Sequence, residues 1–231
     1  MNLQGDQKIF IFLGAPGVGK GALSRMAAEK FGWKQLSTGD LCRKHIAEGT
    51  VLGQEIDFAI KSGKLVSDAV IIEMVKDWLS NQIKLGSTVI LDGFPRTVVQ
   101  AEGFLNIMKN EIFVHNALIV VEFVLDDEVI IKRLSSRLVC SNNACQKVYS
   151  ALHDSLKSHE EGICDVCGSI LIQRADDREC VVRDRLKIYR THVQALKQFY
   201  ENHDIPLVVV SSDQQIDLVF DAFLSAVGLI A

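Results

Sequence analysis

Little in this sequence favours a nucleic-acid partner, a membrane or an oxidising compartment. Basic residues are outnumbered, 25 Lys and Arg against 29 Asp and Glu, for a formal charge of -4; a strand or duplex partner normally requires a basic surface to neutralise its phosphates. Long apolar runs are missing. The run Ile9 to Leu13 stops at a glycine, and the residues before it carry no basic cluster, so neither a signal peptide nor a membrane span is expected. A cytoplasmic protein is the expectation, and in a reducing compartment the six cysteines are read as thiols or metal ligands rather than disulfides. Prolines number three, and no repeat, proline-rich linker or low-complexity stretch divides the chain. What remains is an ordinary soluble composition, 48% hydrophobic and 23% charged over 231 residues, enough for one core carrying insertions.

Near-continuous apolar runs, Lys8 to Leu13, Thr88 to Leu91, Ala117 to Leu125 and Pro206 to Val210, suit strands covered on both faces. Helical patterns alternate with them at Ala22 to Lys30, Asp68 to Ile83, Asp127 to Leu138, Arg183 to Tyr200 and Asp213 to Val227, several opened by Asp as an N-cap. In Arg183 to Tyr200, Leu186, Tyr189, Val193, Leu196 and Phe199 form one apolar stripe. The class expected is α/β, a parallel β-sheet flanked by helices. Between Val139 and Arg174 the chain turns polar, cysteine-rich and weakly periodic, which marks an insertion.

The first strand runs into Gly14, Ala15, Pro16, Gly17, Val18, Gly19 and Lys20, and a helix follows. Glycines let backbone N–H groups curl around phosphate oxygens, the helix points its positive end at them, and a lysine reaches the β and γ oxygens. The hydroxyl residue expected after that lysine is missing, since Gly21 and Ala22 stand there. A direct magnesium ligand from the loop is therefore absent, and one side-chain contact to the α-phosphate with it.

Four further motifs follow: Ser37 to Arg43, Gly63 to Val66, Asp92 to Arg96, and Gln100-Ala101. Together with the loop they resemble the adenylate kinases, a P-loop family of nucleoside monophosphate kinases, over nearly the whole chain. The resemblance implies a P-loop core at 1–36, 67–137 and 176–231, an AMP-binding insertion at 37–66 and a lid at 138–175. It implies an ATP site at Gly14 to Ala22 with Arg137, and an AMP site at Thr38, Arg43, Lys64, Leu65, Val66, Gly93, Phe94, Pro95, Arg96, Gln100, Arg174 and Arg185. Lys20, Arg96, Arg137, Arg174 and Arg185 are implied as catalytic, Asp92 as orienting magnesium waters, and Asp176 and Asp177 as setting lid geometry. Reversible transfer of the ATP γ-phosphoryl group to AMP, giving two ADP, is the activity implied, in a monomer with ATP, AMP and ADP as partners.

The residue chemistry agrees. A guanidinium can hold a phosphate by two parallel hydrogen bonds, the role read for Arg43 and Arg96, and the Gln100 amide can pair with an adenine edge. Cys140, Cys145, Cys164 and Cys167 are spaced like a structural zinc site of four thiolates, the first pair wider than usual. A kinase of the same fold acting on UMP, CMP or GMP, a P-loop hydrolase, and a zinc-ribbon nucleic-acid binder stay open as alternatives, the last disfavoured by the scarcity of aromatics in the insertion.

Overall fold

A computed structural model describes residues 8–61, 66–83, 87–110, 118–142, 144–152 and 156–230. The chain divides into two compact units, one of Met1–Gly14, Gly19–Val124 and Tyr189–Ala231, the other of Ala15–Val18 and Leu125–Ile188.

The first unit is built on a parallel five-stranded sheet. Its strands are β1 (Ile9–Leu13), β2 (Lys34–Ser37), β3 (Val89–Asp92), β4 (Leu118–Val124) and, following the three strands of the second unit, β8 (Leu207–Ser211). Their order is β2-β3-β1-β4-β8, so β1 is central and every residue of it is buried. Alternate residues of β1 face opposite sides. Ile9, Ile11 and Leu13 join a cluster with Val89, Leu91, Leu118 and Val120, while Phe10 and Phe12 pack edge-on against Phe223, with ring centroids 5.5 and 5.2 Å away. On the Phe10 face Trp33 also stacks on Phe10 at 5.1 Å, while Phe94, Phe104, Phe199 and Tyr200 join the cluster on the other.

Helices α1 (Lys20–Phe31), α2 (Thr38–Ala47), α3 (Val51–Lys61), α4 (Asp68–Ile83), α5 (Val98–Asn110) and α8 (Ile216–Ala226) belong to this unit; α7 (Glu179–Glu201) contributes its residues from Tyr189 onward. In α4 the cap is Ser67, whose hydroxyl accepts from the Val70 N–H at 3.4 Å, one residue before the expected Asp68. Likewise α8 is preceded by Gln215, which makes no side-chain cap bond, so Asp213 is not its cap. Where α3 crosses α2, a Cβ added to Gly53 would lie 2.0 Å from the His45 carbonyl oxygen. Only a glycine permits that approach.

The second unit holds α6 (Asp127–Ser135) and an antiparallel sheet, order β6-β5-β7, of β5 (Arg137–Cys140), β6 (Val148–Ser150) and β7 (Leu171–Ile172). The expected helix Asp127 to Leu138 therefore ends three residues early, and Arg137 opens a strand. Asp126 caps α6, accepting from the Glu128 and Val129 N–H groups at 2.9 and 3.4 Å. Helix α7 starts four residues before Arg183. No helix among the described residues is long and apolar enough to cross a membrane.

Gly53→Ala forces backbone against backbone, and we expect it to destabilise the chain by about 3 kcal/mol, the upper end for overpacking. Denaturant unfolding checks this; a midpoint equal to that of the parent would contradict the close approach of α2 and α3.

Candidate active site

Parallel pairing of β1 with β3 sets Phe12 beside Asp92, so the loops leaving both strands emerge at the same sheet edge. In an open parallel sheet ligands bind at the carboxyl ends of strands, where neighbouring connections diverge. From β1 the chain enters the Gly14–Lys20 loop. Gly14, Gly17 and Gly19 take φ of 145°, 91° and 104°, values that side chains rarely adopt. A Cβ on Gly17 would also lie 2.8 Å from Leu134 Cγ. The Lys20 ammonium folds back to donate to the Gly14 carbonyl at 2.7 Å, which places its charge over the loop.

Gly21, the second residue of α1, lies beside the other loop, where its Cβ would lie 3.4 Å from Asp92 Oδ2. Burial pushes the Asp92 carboxyl up from its ordinary range, while Lys20 and Arg96 pull it down and Asp40 adds to the rise. A hard cation near this carboxyl would draw it toward the carboxylate. Gly93 follows with φ 76°, and its carbonyl accepts both from the Thr38 hydroxyl at 2.9 Å and from Arg96 Nε at 2.8 Å. The Gly93 carbonyl thus ties Thr38 and Arg96 into one cluster. The Arg43 guanidinium pairs with Asp40, and its buried Nε meets no hydrogen-bond partner among the described residues. A buried donor in that state normally signals a missing partner.

Gln100 is buried at 3% exposure. Its carbonyl accepts from the Arg96 N–H and its amide donates to Asp68, both at 2.8 Å. Sequence reasoning named Gln100 but not Asp68, which it read only as a helix cap. Phe94 and Pro95 are buried, and Phe94 packs edge-on to Phe104; Val66 is half-buried against the core. Lys64 and Leu65 lie outside the described residues.

In the second unit Asp177, fully buried, receives Arg137 through two parallel bonds of 2.8 and 2.6 Å. Arg185 bonds the Asp176 carbonyl at 2.8 Å and its carboxylate at 3.0 Å. Arg174 donates to Gln146 at 3.3 Å. Arg183 instead bridges Glu128 and Glu179 at the surface. The two acids therefore set the directions of Arg137 and Arg185.

Four sulfurs, from Cys140, Cys145, Cys164 and Cys167, lie within 4.8 Å of one another. Two contacts, Cys140 to Cys167 at 3.3 Å and Cys145 to Cys164 at 3.7 Å, are far longer than a disulfide and close to the ~3.8 Å edge of a tetrahedron with ~2.3 Å zinc–sulfur bonds. The wide first pair is drawn in by Asn142, whose carbonyl accepts from the N–H groups of Cys145 and Gln146, both at 3.0 Å. The second pair turns through Gly168, whose N–H reaches the Cys164 carbonyl at 2.9 Å. Burial raises the Cys164 thiol, but the Tyr149 hydroxyl and the Val166 and Cys167 N–H groups outweigh it and bring it down to about 6, and Ser169 lowers Cys167, while burial pushes Cys140 up to about 12 and Cys145 is raised as well. Thiolate is the metal-binding form. His159 is exposed and pairs with Asp165 rather than joining the cluster; His153 lies outside the described residues.

The chain is also similar to known proteins. The family model for adenylate kinase matches residues 12–205. Adenylate kinases of Borreliella burgdorferi, Thermodesulfovibrio yellowstonii and Ruminiclostridium cellulolyticum are respectively 40%, 40% and 39% identical to the chain. The matches cover 82%, 92% and 95% of this chain and 84%, 95% and 99% of those relatives. With the family model matching residues 12–205 and these relatives about 40% identical over most of both chains, the chain belongs to the adenylate kinase family.

Proposed function

We propose that the named residues divide a single phosphoryl transfer among three groups, supported most directly by the convergence of Lys20, Asp92 and Arg96 where β1 and β3 end. The chain is a phosphotransferase that moves the γ-phosphoryl group of ATP to AMP, giving two ADP. The Gly14–Ala22 loop cradles the ATP phosphates, with Lys20 on the β and γ oxygens. In the AMP-binding insertion at 37–66, Thr38, Arg43 and the chain at Lys64, Leu65 and Val66 hold the acceptor nucleotide. Gly93, Phe94, Pro95, Arg96 and Gln100 complete that pocket, with Arg43 and Arg96 on the phosphate and Gln100 on the base. Arg137, Arg174 and Arg185, at the borders of the lid at 138–175, serve the transferred group, Arg137 on the ATP side and the other two toward AMP.

The acceptor is a phosphate oxygen of AMP, ionised near neutral pH, so no protein base has to remove a proton. Charge spreads over the equatorial oxygens as the group moves, and guanidinium and ammonium groups already aimed at them stabilise that state without reorganising. Magnesium arriving with ATP neutralises part of the same charge, and Asp92 would hold its water ligands in place of the absent loop hydroxyl. Excluding water protects the γ-phosphoryl group from hydrolysis.

The four cysteines would hold a structural zinc ion, which supplies cross-linking energy rather than chemistry. The apolar cluster around them is small, with Cys140, Tyr149 and Cys164 buried and Leu138 and Leu171 against them, so packing alone gives this segment little stability.

ADP formation from ATP, followed with and without AMP, tests the assignment. We expect it to depend on AMP and to fall at least tenfold when UMP, CMP or GMP replaces AMP, as expected of a pocket that hydrogen-bonds the base; phosphate release without AMP at a comparable rate would contradict it. Arg96→Lys is expected to keep the melting temperature and to lower turnover by on the order of 100-fold, the effect of losing one preorganised donor. Turnover within threefold of the parent would remove Arg96 from the catalytic set. For the metal, elemental analysis should find one zinc per chain, lost in Cys164→Ser together with several degrees of melting temperature. A metal-free parent whose melting is indifferent to chelator would contradict the zinc reading.

A further inference from the structure

We propose that Asp68 fixes which way round the Gln100 amide faces, and so makes the acceptor pocket select a 6-aminopurine over a 6-oxopurine. The inference rests on the reading of Gln100 as the group that meets the AMP base. A glutamine amide has nearly the same shape when turned by half a rotation, and only its hydrogen-bond partners distinguish the two states. Gln100 has two partners, and each accepts a single orientation. The Arg96 N–H, at 2.8 Å, can only donate; the Asp68 carboxylate, at 2.8 Å, can only accept. Turning the amide over would set NH2 against N–H and carbonyl against carboxylate, losing two bonds and creating two repulsions in a site where Gln100 is 3% exposed.

The scaffold holds these partners in register. Asp68 and Gln100 sit in the first turns of α4 and α5, which pack together closely enough that a Cβ on Gly103 would lie 2.6 Å from Ile72 Cδ1. The Thr97 hydroxyl accepts the Gln100 N–H at 3.1 Å and pins the start of α5. With one amide hydrogen on Asp68 and one carbonyl lone pair on the Arg96 N–H, one hydrogen and one lone pair remain for a ligand.

That remaining pair is what a purine edge tests. Adenine offers a donor at its 6-amino group and an acceptor at N1. Hypoxanthine and guanine offer the reverse, an acceptor at O6 and a donor at N1. A glutamine free to turn pairs with either pattern, while one held by Asp68 pairs with one of them and leaves buried polar groups unpaired against the other. Discrimination built on unpaired buried groups is the strong kind. Asp68 is thus a positioning residue, acting through Gln100.

The experiment measures kcat and KM with AMP and with IMP, which differ only at positions 6 and 1, for the parent, Asp68→Asn, Gln100→Ala and the double variant, with thermal unfolding recorded for each. Asparagine keeps the size of Asp68 but can donate or accept, so it no longer opposes a turned amide and leaves only the Arg96 N–H against it. We expect Asp68→Asn to narrow the AMP-over-IMP ratio of kcat/KM by roughly fivefold, the worth of one of the two orienting bonds, through KM rather than kcat. In the double variant it should add nothing to the effect of Gln100→Ala. If Gln100→Ala narrows the ratio and Asp68→Asn leaves it within twofold of the parent, the proposal is wrong while the assignment of Gln100 stands. A ratio indifferent to Gln100→Ala overturns that assignment and the proposal with it. Equal losses on both substrates in Asp68→Asn, with lowered melting, mean that Asp68 serves only the fold.

Discussion

The parallel pairing of β1 with β3 is the constraint from which the first unit takes its chemistry. It buries both strands in the middle of the sheet, and by setting Phe12 level with Asp92 it makes the phosphate loop and the Asp92–Arg96 segment leave the sheet side by side. Lys20, Asp92 and Arg96 then act on one another electrostatically, and the Asp92 carboxyl reports it: burial raises it while the two cations hold it down. A shift of one residue in that register would turn every side chain of the strand to the other face and separate these groups. Core packing and charge placement are therefore the same requirement in this sheet.

Acidic residues recur as devices for aiming cations and amides. Asp177 receives Arg137 by two bonds from a fully buried position, Asp176 takes Arg185, and Asp68 takes the Gln100 amide. A guanidinium or amide fixed in advance loses less freedom when ligand arrives, which is how a site gains from electrostatics without reorganising. The net charge of -4 fits this arrangement, since cations are distributed among carboxylates that direct them. In the second unit the cysteine cluster meets a different need, closing a segment whose apolar cluster is small.

Much of this was legible in the residues because the signals are local. Lys8 to Lys30 reads directly as strand, glycine loop and helix, and α4 spans Asp68–Ile83 as its pattern indicates. The motif residues Thr38, Gly93 and Arg96 come together, and so do the four cysteines. The departures have physical causes. β2 buries only Leu36, so Lys34–Ser37 carries no apolar run to announce a strand. Leu138 and Val139 continue the apolar pattern of α6, but Asp177 and pairing with β6 and β7 draw Arg137–Cys140 into a sheet instead. Asp68 was invisible as a partner of Gln100, since 32 residues separate them and only the packing of α4 on α5 joins them.

In the proposed mechanism no protein group is covalently phosphorylated, and one oxygen of AMP attacks the γ-phosphorus in line. Asp92 is the carboxylate in the convergence at the ends of β1 and β3, so it is the residue whose phosphorylation would be the competing route. The most direct test follows the configuration at phosphorus, using ATP whose γ-position is made chiral with sulfur and oxygen isotopes, and AMP as acceptor. A single in-line transfer predicts inversion in the ADP formed from AMP. Retention would mean two successive transfers through the protein and would contradict the claim that this site works by alignment and charge alone.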